Sequence, residues 1–104
     1  MSYVPITYPL KVTYSGGSAY DMTNADDVVV VSTNGRVNMH DATYATYKPF
    51  YIHNYSGGLV TVYPGPGGLI DFASSIALTK GHSSIVLIPI GGPNWFIFAA
   101  HMYP

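Results

Sequence analysis

His40 and Asp41 form the one adjacent imidazole–carboxylate pair in the chain, the pairing that general acid–base catalysis uses. On a strand, neighbouring residues point to opposite faces, and such a pair needs a third group before it can act on a substrate. No Gly-x-Ser-x-Gly elbow and no cysteine supplies that group. The pair reads as a strand-end histidine beside an acid, and the chain is not expected to be an enzyme. His40, His53, His82 and His101 lack the i, i+2 or i, i+4 spacing that would set two imidazoles on one local face, so no metal site is expected.

Two further segments invite a chemical reading. Pro64-Gly65-Pro66-Gly67-Gly68 has the glycines of a phosphate loop but lacks the Lys-Ser/Thr step and a following helix, so neither cation nor helix dipole would meet a phosphate. It is a turn, and no cofactor is expected. Trp95 with Tyr51, Tyr63 and Tyr103 could make an aromatic platform for a sugar, but a tryptophan followed by Phe96, Ile97 and Phe98 reads as core.

Composition limits the partners. Charged residues make up 9% of the 104 residues, against about 25% in an ordinary soluble domain. Glutamate is absent, and the net charge is −1. A monomer of this size exposes roughly 5,700 Å², which so few charges cannot dominate. A neutral surface promotes association, so an oligomer is expected. Lys11, Arg36, Lys48 and Lys80 stand apart in the sequence, and nucleic acid, which needs clustered cations to displace phosphate counterions, is not an expected partner. Apolar runs such as Val28 to Val31 and Ile85 to Ile90 fall far short of the ~20 residues of a membrane helix. No export signal opens the chain, and without cysteine the fold must rest on burial and backbone pairing.

The elements that must position these residues are strands. No stretch has sustained helical spacing, β-branched and aromatic residues abound, and Gly or Pro interrupts the chain about every ten residues. The pattern predicts an all-β domain, a small β-sandwich or barrel, over residues 21–104. Asn34-Gly35 predicts a type I′ hairpin joining Asp27–Ser32 to Arg36–His40. A second hairpin is predicted between Pro49–Asn54 and Leu59–Tyr63, and a third joins Ser84–Ile88 to Trp95–Ala100 through Gly91-Gly92-Pro93-Asn94. Four successive valines imply a strand covered on both faces. Residues 1–20, with Pro5, Pro9, Tyr3, Tyr8, Tyr14, Tyr20 and a Ser15-Gly16-Gly17-Ser18 step, read as an extended N-terminal arm whose rings pack on something else. The candidate interface residues are therefore Tyr3, Tyr8, Tyr14, Tyr20, Val28 and Val30.

In order, the chain has Asp26-Asp27 before Val28 to Val31, then Gly57-Gly58 with Val60 and Val62. Pro64 to Gly68, Ile70, Leu78 with Gly81 and Ser83, and Asn94-Trp95 follow. This order resembles a β-rich module of bacteriophage fibre, spike and head-decoration proteins over residues 20 to 100; Met39-His40-Asp41 replaces the Leu-Pro usual after the second strand. The resemblance implies an intertwined homotrimer, in which one histidine near the axis becomes three in space, with His101 the first candidate were a metal found. With no shaft or further domain in the 104 residues, it points to a virion structural protein. That protein would be a capsid decoration or cement protein, made in the host cytoplasm, bound to the major capsid protein on the outer surface of the phage head. The alternative is a receptor- or glycan-binding tip of a tail fibre or spike.

Overall fold

Runs of valine, isoleucine and aromatic residues separated by short Ser/Gly/Asn corners favour extended chain, and nine strands form among the described residues. They are β1 Val12–Ser15, β2 Ala19–Asp21, β3 Val28–Val31, β4 Gly35–Asn38, β5 Phe50–Asn54, β6 Val60–Tyr63, β7 Ile76–Leu78, β8 Ser84–Pro89 and β9 Trp95–His101. The computed structural model describes residues 11–102, and the one helical element among them is a 3-10 turn, Ala42–Tyr44.

The strands form two sheets ordered β1-β3-β5-β8-β9 and β2-β4-β6-β7. β1, β3 and β5 run parallel, with Val12 beside Val28 and Val28 beside Tyr51. β2, β4 and β6 are likewise parallel, with Tyr20, Val37 and Val62 in line. The first six strands therefore wind as three coils, each giving one strand to either sheet, as in a short β-solenoid. β7 closes the smaller sheet on β6, and the β8–β9 hairpin closes the larger one on β5, all antiparallel.

Two predicted hairpins are thus corrected. β3 pairs with β1 and β5 rather than β4, and β5 pairs with β3 and β8 rather than β6. The segment around Asn34-Gly35 is a corner from sheet to sheet. Gly35 does not take the positive φ of a type I′ turn; the positive-φ glycines among the described residues are Gly67, Gly91 and Gly92. Its lack of a side chain serves another end, because a Cβ there would run into the Ser18 carbonyl of the preceding coil. The predicted Gly91-Gly92 turn does join β8 to β9.

The segment expected as an arm is strand from Val12 onward: the Ser15–Ser18 step is the first corner, and β1 and β2 are edge strands of the two sheets. Residues 1–10, with Tyr3 and Tyr8, lie outside the described residues. Alternation settles the four valines. Val29 and Val31 point into the core, while Val28 and Val30 are half-buried on the outer face.

Between the sheets, Val29, Val31, Phe50, Ile52, Ile85, Leu87 and Trp95 meet Val37, Val60, Val62 and Leu78. Asn54 is the polar staple of this core and is fully buried. Its Nδ2 donates to the carbonyls of Gly58 at 2.7 Å and Leu78 at 2.9 Å, and its Oδ1 accepts from Ser56 N at 2.9 Å and Ser56 Oγ at 2.6 Å. One side chain thereby ties the last corner of the coils to the end of β7.

Replacing Asn54 by Ala strands these buried partners, each unmet polar group costing on the order of 1–3 kcal/mol. Urea unfolding should show a loss of about 3 kcal/mol; a loss within error of zero would show that the staple does not hold the corner.

Candidate functional site

Strand alternation divides the five-stranded sheet into a core face and an outer face. The buried positions of β3, β5 and β8 are Val29, Val31, Phe50, Ile52, Asn54, Ile85, Leu87 and Pro89, so their neighbours point outward. One outward row reads Val12, Val28, Tyr51, Val86, Ala99, and the next reads Tyr14, Val30, His53, Ser84, His101. Ile88 and Phe96 extend the face at its far end. No acid, lysine or arginine stands in these rows. Tyr14 is 75% exposed, and Phe98, at the bulge between Val86 and Leu87, is 68% exposed.

Of the expected interface residues, this face brings Tyr14, Val28 and Val30 together. Tyr20 goes elsewhere. Its ring packs against the core from β2, and its hydroxyl donates to Asp26 Oδ1 at 2.8 Å. Burial first, then the hydrogen bond to Asp26, raises the Tyr20 pKa above its ordinary value.

Asp26, seen in the sequence only as half of a motif, is a buried carboxylate with a full set of donors. Thr13 Oγ1, Tyr20 Oη and Thr23 N approach it at 3.2, 2.8 and 2.9 Å. Asp27 turns outward to Lys48 Nζ at 2.7 Å and accepts from Lys11 N at 2.8 Å. These contacts hold its carboxyl below the usual range, the hydrogen bond from Lys48 contributing most.

His40 and Asp41 do not act as a pair. Asp41 Oδ1 accepts from Thr43 N at 2.9 Å and caps the 3-10 turn. His40 Nε2 lies 2.9 Å from Asn24 Oδ1, the same oxygen that accepts from Thr46 N. That geometry makes Nε2 the protonated nitrogen and leaves Nδ1 as a buried lone pair without a partner. The ring stands edge-on to Phe50 and Trp95, at 5.2 and 5.3 Å between centroids. Trp95 is fully buried and donates through Nε1 to the His40 carbonyl at 3.1 Å, so it belongs to the core and not to a sugar platform. Tyr63 takes the Arg36 guanidinium over its ring at 4.0 Å, and Tyr103 lies outside the described residues. Pro64–Gly68 is a turn whose Gly65 and Gly68 sit too close to neighbouring backbone to carry a Cβ.

Two features had little signal in the sequence. His53, Tyr55 and His82 cluster at one end of the outer face, with ring centroids 5.8 Å apart for the two histidines and 5.5 Å for Tyr55 and His82. Their sequence separations match no local motif, because a corner and a returning strand bring them together. Among the described residues, no group of three or more His, Cys, Asp or Glu is arranged to hold a metal ion. The second feature is the turn Ile70–Ala73, closed by two 2.8 Å backbone bonds, with Asp71 at φ +46 and Phe72 at φ +68. Left-handed geometry normally selects Gly or Asn. Here it presents a phenyl ring that is 93% exposed, beside an apolar cavity of about 200 Å³ lined by Ile90, Trp95 and Phe96.

Burial dominates the lowering of the His40 pKa, with Lys48 adding to it and Asp26 and Asp41 opposing it. An imidazole whose folded pKa is depressed stabilises the fold fully above the unfolded value of about 6.5 and progressively less as pH falls below it. Trp95 fluorescence should accordingly report a thermal midpoint that is flat above about pH 6.5 and declines beneath it. His40→Gln should flatten that acid limb, and an unchanged limb would remove His40 as its source. No protein-family model matches the chain, and no curated protein matches it.

Proposed function

We propose that this protein is a structural module that works by self-association and docking rather than by chemistry. Three copies pack through the outer face of the five-stranded sheet, and the trimer binds and stabilises a phage head as a decoration protein. The observation that carries the reading is that face, two rows of valine, tyrosine, histidine and small side chains with no acid, lysine or arginine. Parallel sheets normally have both faces covered, and β1, β3 and β5 form a parallel sheet with one face packed. A second layer of the same chemistry completes it. Tyr14, Val28 and Val30 supply the contact. The ordered motifs shared with phage fibre, spike and decoration proteins support the head-surface role, with residues 1–10 and their Tyr3 and Tyr8 reaching the major capsid protein.

Exposed Tyr44, the last residue of the 3-10 turn, and exposed Tyr47, three residues on, favour a competing reading as the glycan-binding tip of a fibre or spike. A glycan array separates the two, because a decoration protein binds decoration-free capsids and no sugar.

Sedimentation equilibrium should give a trimer at micromolar concentration that is nearly indifferent to salt, since few ion pairs are available to screen. Val30→Asp should weaken association by on the order of 100-fold or more, the penalty of an unpaired carboxylate in an apolar interface, while circular dichroism stays unchanged. A wild-type monomer in both low and high salt refutes the reading. Deleting residues 2–10 leaves β1 whole and should weaken binding to decoration-free capsids; full retention would place attachment on the sheets alone.

A further inference from the structure

We propose that Asn34 is a latent deamidation site protected by the closed corner of the coils, so that loss of its amide marks chains whose second and third coils have come apart.

The chemistry follows from the residue after the side chain. The chain has five asparagines and no glutamine, and Asn34 is the asparagine followed by glycine. Glycine has no side chain to shield its own nitrogen, so a deprotonated Gly35 amide nitrogen can attack Asn34 Cγ. The bond from Gly35 N to Cγ forms, the Cγ–Nδ2 bond breaks, and Nδ2 leaves as ammonia, with solvent taking and returning the protons. Water then opens the cyclic imide at either carbonyl to give aspartate or isoaspartate, and nothing is oxidised or reduced. The other asparagine amides are engaged. Asn24 Oδ1 accepts from Thr46 N, Asn38 Nδ2 donates to Asp21 Oδ1, Asn94 Oδ1 accepts from Leu69 N, and Asn54 is buried with both ends of its amide bonded. Asn34 is exposed.

The stacked corners oppose the reaction. Gly35 opens β4, and its N–H donates to the Leu59 carbonyl of the following coil at 3.2 Å. The Asn34 side chain faces the same corner, with Nδ2 and Oδ1 2.9 and 3.0 Å from where a Cβ on Gly58 would stand. On its other side Gly35 lies so close to the Ser18 carbonyl that a Cβ has no room, which keeps the backbone from shifting aside while the coils are stacked. An N–H committed to a ladder must be released before it can lose its proton, so the attack waits on local opening of the corner. Either product then works against reclosure. Aspartate sets a carboxylate over Gly58 in a chain whose net charge is already −1. Isoaspartate routes the main chain through the side-chain methylene, and the added carbon carries the Gly35 N–H off the Leu59 carbonyl at the first pair of the β4–β6 ladder. An opening is thereby recorded and not undone.

The test follows Asn34 by peptide mapping and mass spectrometry of the intact chain, folded and urea-unfolded, in mildly alkaline buffer, with isoaspartate identified by electron-transfer fragmentation. The folded chain should lose the amide about 100-fold or more slowly than the unfolded one, and in the unfolded chain Asn34 should react before the other four asparagines. Asn54→Ala releases the carbonyl of Gly58, the neighbour of Leu59, and should speed the loss from the folded chain by about tenfold or more. Should that variant fail to fold, hydrogen exchange of the wild-type Gly35 N–H must be slowed by a factor comparable to the slowing of deamidation. Equal loss from folded and unfolded wild type overturns the protection, as does a freely exchanging Gly35 N–H. A folded Asn54→Ala chain that keeps Asn34 as long as the wild type does overturns the dependence on corner opening. An unfolded chain that loses another asparagine first overturns the assignment to Asn34.

Discussion

The backbone ladder between successive coils is the constraint on which the rest of this molecule depends. Parallel neighbours must run in the same direction, so the chain cannot turn straight back and has to return by another route. Here that route is the second sheet, and each coil lays down one strand in either layer. The corners consequently stack. Ser32 N donates to the Ser15 carbonyl, Arg36 N to the Ser18 carbonyl and Gly35 N to the Leu59 carbonyl, at 2.9, 3.0 and 3.2 Å. Gly35 is needed where its corner lies against the one before it, because a Cβ there would run into the Ser18 backbone and push the coils apart.

An open stack of coils would leave strand edges and core exposed at its end, and the antiparallel strands close it. Trp95, at the start of β9, reaches back to the His40 carbonyl and packs edge-on with Phe50 and His40, joining the last strand to the loop between the second and third coils. Asn54 does the corresponding work at the other end of β5. Buried polarity in this protein is thus mostly structural: Asn54 and Asp26 meet donors or acceptors from segments distant in sequence, as buried polar groups must. The His40 Nδ1 lone pair is the exception, and its surroundings keep the ring neutral.

Asp41 caps the 3-10 turn, and His40 packs edge-on against Phe50 and Trp95. The outer face of the larger sheet is neutral, partly aromatic and bordered by Phe96, Phe98 and the strained turn that displays Phe72. Such a face gains from being covered, and the few charges elsewhere, with Lys48 already engaged by Asp27, do little to oppose approach of a second copy.

Local sequence determined that this chain is all-β, that a Gly-rich turn joins β8 to β9, that Pro64–Gly68 breaks the sheet, and that Trp95 is core. Each of these follows from propensity, turn chemistry and side-chain size within a few residues. Period-two alternation also made Val28 and Val30 share a face, although the unbroken valine run disguised which face was open. Which strands pair was decided only in the tertiary structure. Asn34-Gly35 and the Tyr55–Gly58 corner look locally like hairpin turns, but a local pattern does not register whether the next strand lies beside its predecessor or across the core from it. The preference for three stacked parallel ladders arises from pairing over long separations, Val12 with Val28 and Val28 with Tyr51. For the same reason the Thr13–Asp26 hydrogen bond and the His53–His82 contact have no motif in the chain: their members are neighbours only because coils stack and strands return, and that proximity exists only once the fold has formed.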